Sequence, residues 1–183
     1  MWISPITRLK NSNPETMTKG MIVLGIDPGT IIMGYGVVES LDSEISLIKY
    51  GAWNTPSRSL IGERLSFLYG RLLKAIDEFR PTAVAVEQPF VAKNAKSAFA
   101  IGRAQAVVIL AAANSHVPCF EYTPAEIKQR VANYGASKKE QIQQMVTLQL
   151  GLTQIPDPAD AADALAVALC HLQVANLENL LNR

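Results

Sequence analysis

This sequence predicts an α/β fold, a mixed five-stranded sheet flanked by helices, and three observations carry the prediction. Ile22-Val23-Leu24-Gly25-Ile26 is a continuous apolar run that stops at Asp27-Pro28-Gly29, as a buried central strand ending in a turn does. Ile61, Leu65, Leu68, Leu72, Ile76 and Phe79 recur every three to four residues, the spacing of a helix with one apolar face. A second short apolar run, 83–87, follows the helix-stopping Pro81 and ends on Glu87, just as the first ends on Asp27.

The remaining elements follow in order. Residues 35–39 and 45–53 predict two further strands joined by a polar turn at Asp42 and Ser43, forming an antiparallel meander with the first. A helix is predicted from about Ala95 to Asn114, a strand over 119–122, and helices from about Pro124 and about Lys138. The last helix has the clearest start signal, with Asp157 as N-cap and Pro158 at the first helical position. Asp160 and Asp163, three residues apart, then share a face near its amino end.

At 183 residues and 49% hydrophobic content, the chain can bury one sizeable core. We expect a single domain over 21–177, preceded by a disordered polar arm, 1–20, and followed by a tail, 178–183. The arm lacks the apolar segment of a secretory signal, and Met17 and Met21 are alternative starts. The longest apolar stretch, 106–113, is short of the roughly 20 residues that span a bilayer. Cys119 and Cys170 form no CxxC and lie in apolar runs, as the thiols of a reduced protein do. A soluble, cytoplasmic protein is the expectation.

The chemistry rests on four acids in apolar or small-residue settings: Asp27, Glu87, Asp160 and Asp163. A carboxylate is costly to desolvate there unless a charge compensates it. Two carboxylates at strand ends and two from one helical turn make an oxygen-rich pocket suited to Mg²⁺ or Mn²⁺, while the absence of a Cys or His cluster argues against structural zinc. Two such metals about 4 Å apart activate water on one side of a phosphodiester and stabilise the leaving oxygen on the other. The formal net charge of +1 means that any nucleic-acid surface is local. One exists between Ala92 and Gln144, where Lys93, Lys96, Arg103, Lys128, Arg130, Lys138 and Lys139 outnumber Glu121, Glu126 and Glu140.

Gly25-Ile26-Asp27-Pro28-Gly29-Thr30 with Gly34-Tyr35-Gly36-Val37, then Val86-Glu87-Gln88-Pro89-Phe90, Ala92-Lys93-Asn94-Ala95 and Asp160-Ala161-Ala162-Asp163-Ala164-Leu165-Ala166 closely resemble the RuvC family of bacterial Holliday-junction resolvases. The resemblance runs from about Met21 to about Ala175. It implies a ribonuclease-H-like fold, a homodimer, and paired magnesium-dependent nicks in opposing strands of a four-way DNA junction during recombination and repair. Two Mg²⁺ per subunit, replaceable by Mn²⁺, would be held by Asp27, Glu87, Asp160 and Asp163 as catalytic residues. Phe90 would stack on an unpaired base, and Lys128 and Lys139 would approach the scissile phosphate. Lys93 and Lys138 join them as DNA-binding residues, and the branch-migration complex of RuvA and RuvB is the implied protein partner. Met33 departs from the small polar residue usual in relatives, and the arm has no family explanation.

Rival readings are weaker. Asp27-Pro28-Gly29-Thr30 also resembles the first phosphate loop of the actin and sugar-kinase superfamily, but that fold needs two lobes and this chain has length for one. A non-catalytic junction-binding module would have no use for all four acids. Asp157 is accounted for as a cap, and His171, among Leu165, Leu169 and Leu172, as a packed or surface histidine.

Overall fold

The computed structural model describes residues 20–42, 44–89, 95–133, 135 and 137–181. Five strands, β1 (Met21–Asp27), β2 (Ile32–Leu41), β3 (Glu44–Asn54), β4 (Ala83–Glu87) and β5 (Cys119–Tyr122), form one sheet in the order β3-β2-β1-β4-β5. β2 runs antiparallel to both β1 and β3, while β4 is parallel to β1 and to β5. Both hairpin strands are longer than the apolar alternation suggested: polar Glu44 and Asn54 at the ends of β3 still pair in the ladder, with Leu41 and Ile32 of β2.

The helices are α1 (Ile61–Phe79), α2 (Ala95–Asn114), α3 (Pro124–Ala132), α4 (Lys139–Gln149) and α5 (Ala159–Leu181). The apolar stripe of α1 buries Leu68, Leu72, Ala75 and Ile76 with Leu24, Ile26, Val84 and Val86 from one face of the sheet and Ala104 and Val108 of α2. The other face is covered by α5, whose Leu165, Leu169 and Leu172 pack with Val23, Val38 and Ala85 below and with Ile127, Val131, Ile142 and Val146 of α3 and α4 above. A helix apolar on every side belongs between two layers, and α5 is buried almost throughout from Ala161 to Leu172.

α5 begins at Ala159, one residue later than the sequence signal placed it, and the Asp157–Pro158 peptide is cis. The helix runs on to Leu181, past the point at which the sequence suggested a tail. Cys170 is buried and Cys119 half-buried, both as free thiols. His171 is packed, 4% exposed, with its Nδ1 2.7 Å from the Tyr122 hydroxyl. By length and composition alone, the Ser97–Asn114 stretch of α2 would suffice to cross a membrane; only 28% of it is buried in this structure. The apolar run counted in the sequence, 106–113, is therefore part of a longer apolar segment.

Candidate active site

Strand alternation decides where the first two carboxylates point. Leu24, Ile26, Val84 and Val86 fill the α1 side, so Gly25, Asp27, Ala85 and Glu87 face α5. The parallel register pairs Ile26 with Val86, which sets Asp27 and Glu87 side by side at the carboxyl ends of the two central strands. The turn after Asp27 is clamped: the Thr55 amide donates to the Ile31 carbonyl at 2.9 Å, and the Thr55 hydroxyl reaches the Thr30 and Ile31 carbonyls at 3.2 Å each. Gly29 admits no side chain there, since a Cβ would lie 2.0 Å from the Ile32 carbonyl oxygen.

The first two turns of α5 bring Asp160 and Asp163 over these strand ends. Lys139, at the first position of α4, holds Asp163 Oδ2 at 2.5 Å. Lys128 of α3 and Lys139 line a cavity of about 240 Å³ with Glu87, Asp163, Pro124, Ile127, Ile142 and Ala166. Lys138 is exposed at the cap of α4. Phe90 and Lys93 lie outside the described residues.

The electrostatics show four acids in one field. Burial, followed by repulsion from Glu87, Asp163 and Asp160, pushes the Asp27 carboxyl up to about 7, with Lys139 opposing. Glu87 is also raised to about 7, by burial and then by Asp163, against Lys128 and Lys139. Partial burial works to lower the Lys139 ammonium, but its bond to Asp163 and the charges of Asp163, Asp27 and Asp160 leave it raised.

The donor set fits a hard divalent cation in kind. It is all oxygen, partly desolvated, and carries more negative charge than two lysines neutralise. The acids are gathered without being closed around a point: among the described residues, no three acidic, histidine or cysteine side chains form a ready-made ion cage.

Sequence reasoning selected Asp27, Glu87, Asp160 and Asp163, and the structure assembles them at one end of the molecule. It missed the Asp163–Lys139 pair, because a contact between residues 24 apart has no local signature.

One antiparallel strand within an otherwise parallel sheet, with acids at the central strand ends and on the helix that crosses them, defines a protein of the ribonuclease-H-like fold. The chain belongs to the RuvC family: residues 23–171 match the family described as crossover junction endodeoxyribonuclease RuvC. It is 54% identical over 151 residues to the crossover junction endodeoxyribonuclease RuvC of Dehalococcoides mccartyi, covering 82% of this chain and 92% of the relative. The solved structure of Thermus thermophilus RuvC aligns with a TM-score of 0.81 at 36% identity, covering 86% of this chain and 97% of that one. The same protein in complex with Holliday junction substrate aligns with a TM-score of 0.81, covering 86% and 96%.

Proposed function

We propose that this chain is a structure-selective DNA endonuclease that resolves Holliday junctions by paired, symmetric, metal-dependent nicks in homologous recombination and DNA repair. The observation that carries the reading is the convergence of Asp27, Glu87, Asp160 and Asp163 at the carboxyl ends of the central strands in a chain of the RuvC family. These four side chains would hold two Mg²⁺, with Mn²⁺ able to substitute. Bound there, the cations would supply an activated water and neutralise the leaving oxygen. Lys128 and Lys139, which line a cavity with Glu87 and Asp163, would receive the scissile phosphate, and Lys138 and Lys93 would contact flanking phosphates. The site of action is the cytoplasm, with RuvA and RuvB delivering the junction.

The direct test is cleavage of a synthetic four-way junction. Two symmetric nicks in opposing strands are expected with Mg²⁺, none with EDTA, and little cutting of linear duplex of the same sequence. Equal cutting of linear duplex would remove structure selectivity from the reading.

Paired incision calls for two copies related by a two-fold axis, and α2 is the surface that fits a second copy. Leu68 and Leu72 of α1 are wholly buried in the core. α2 instead exposes Phe99 at 68%, Leu110 at 53% and Ile109 at 36%. Leu110→Glu is expected to give a folded monomer in sedimentation that nicks single strands but no longer resolves junctions. A dimer of wild-type strength in that variant would move the interface elsewhere.

Phe90, three residues beyond Glu87, is assigned to stacking on a base at the junction centre. A stacked ring is worth roughly 1–3 kcal/mol, so Phe90→Ala should slow cleavage about 10- to 100-fold with little loss of junction affinity. Unchanged cleavage per folded molecule, alongside a lowered melting temperature, would make Phe90 a packing residue.

A further inference from the structure

The geometry points to Gly34 as a positioning residue for the carboxylate site, an inference that rests on the metal-site reading above. Gly34 stands opposite Asp27 in the antiparallel register of β1 and β2, on the face that α5 covers. A Cβ at Gly34 would lie 2.0 Å from the Asp160 carbonyl oxygen, 2.5 Å from the Asp160 carbonyl carbon and 3.2 Å from the Ala161 nitrogen. All three are main-chain atoms in the first turn of a helix, so no change of rotamer can remove the overlap. The strand backbone at Gly34 therefore sets how close the backbone of Asp160 comes to Asp27. Any side chain there must lift the amino end of α5, and Asp160 and Asp163 rise with it.

Two neighbouring glycines show what is particular about this position. Gly25 also seats α5, with a Cβ position 2.3 Å from the carbonyl oxygen of Ala164, the residue after Asp163, and 2.7 Å from the Ala168 nitrogen, so it meets the turn that leads away from the acids and no main-chain atom of an acid itself. Gly36, two residues along the same strand and on the same face, meets mainly a side chain: Leu165 Cδ2 at 2.6 Å and Cγ at 2.7 Å, with the Leu165 Cα at 3.0 Å. A leucine side chain can turn aside where a carbonyl of the first helical turn cannot. Gly25 and Gly36 thus seat the stretch of helix that follows Asp163, whereas Gly34 alone of the three meets the main chain of an acid itself. Groups that hold a metal ligand in place cost about 10- to 100-fold in metal affinity when disturbed.

The test compares Gly34→Ala, Gly36→Ala and Asp27→Asn in the full chain, using Mn²⁺ binding by calorimetry without DNA alongside thermal melts. Gly34→Ala is expected to melt cooperatively and to bind Mn²⁺ about 10- to 100-fold more weakly than wild type. Gly36→Ala should lose melting temperature but keep its Mn²⁺ affinity, and Asp27→Asn should lose the binding altogether. Wild-type Mn²⁺ affinity in Gly34→Ala, with binding lost in Asp27→Asn, overturns the positioning role and leaves the metal-site reading standing. Wild-type affinity in Asp27→Asn overturns the metal-site reading and the positioning role with it. Equal losses in both glycine variants, or a Gly34→Ala protein with no cooperative melt, also overturn the proposal, because the glycine then serves the fold alone.

Discussion

Asp27→Asn, Glu87→Gln, Asp160→Asn and Asp163→Asn should each reduce junction cleavage on the order of 10³-fold or more while leaving junction binding largely intact. The amide keeps the shape of the side chain but removes the charge that, on the proposed reading, would hold a cation, and four ligands of one site would act as a unit, so any single loss should approach the effect of losing all. Binding would depend on phosphate contacts instead, and removing a negative charge from beside Lys128 and Lys139 should leave such contacts in place or strengthen them. Gel-shift affinity and single-turnover cleavage, measured on the same junction, separate the two. Full nicking activity in any one amide variant would take that residue out of the metal shell.

The prediction can be made for four residues at once because the period of the sheet was legible in the sequence. Apolar runs ending on Asp27 and on Glu87 read as neighbouring strands, and the parallel pairing of Ile26 with Val86 puts the two acids together. Asp160 and Asp163 read as one helical face, and both lie on α5 above those strand ends. What the sequence could not supply was the closeness of α5 to the sheet. That depends on which atoms lie opposite Gly25, Gly34 and Gly36, and glycine itself carries no mark of its neighbour. The only local signal was the alternation of Gly34 and Gly36 on one strand face, which spacing alone leaves as a weak strand. Helix starts were read to within a residue or so, but the ends of β2 and β3 were missed: polar Glu44 and Asn54 of β3 pair in the ladder with Leu41 and Ile32 of β2, and an isolated apolar residue at a strand end has no alternation to mark it.

A second large effect follows from the raised carboxyls. Asp27 and Glu87 both titrate near 7, so below that pH the site carries protons that a divalent cation must displace. Cleavage at limiting Mg²⁺ should rise about tenfold per pH unit on the acid side and level off above about pH 8, a change on the order of 100-fold from pH 5.5 to pH 8. Raising Mg²⁺ should move the midpoint to lower pH by mass action. Stability without metal should go the other way. An acid whose pKa is higher folded than unfolded binds more protons in the folded state between the two values, so stability falls as pH rises through that window. For Asp27 the window runs from 3.8 to about 7. At 1.36 kcal/mol per unit, and after allowing for relaxation of a coupled site, the loss is about 2–4 kcal/mol. In EDTA the protein should therefore melt at a lower temperature at pH 8 than at pH 5. Mg²⁺ should restore the difference, and Asp27→Asn should lose much of it in advance. A cleavage profile indifferent to pH and Mg²⁺, or a metal-free protein more stable at pH 8, would mean that the four acids do not share one site.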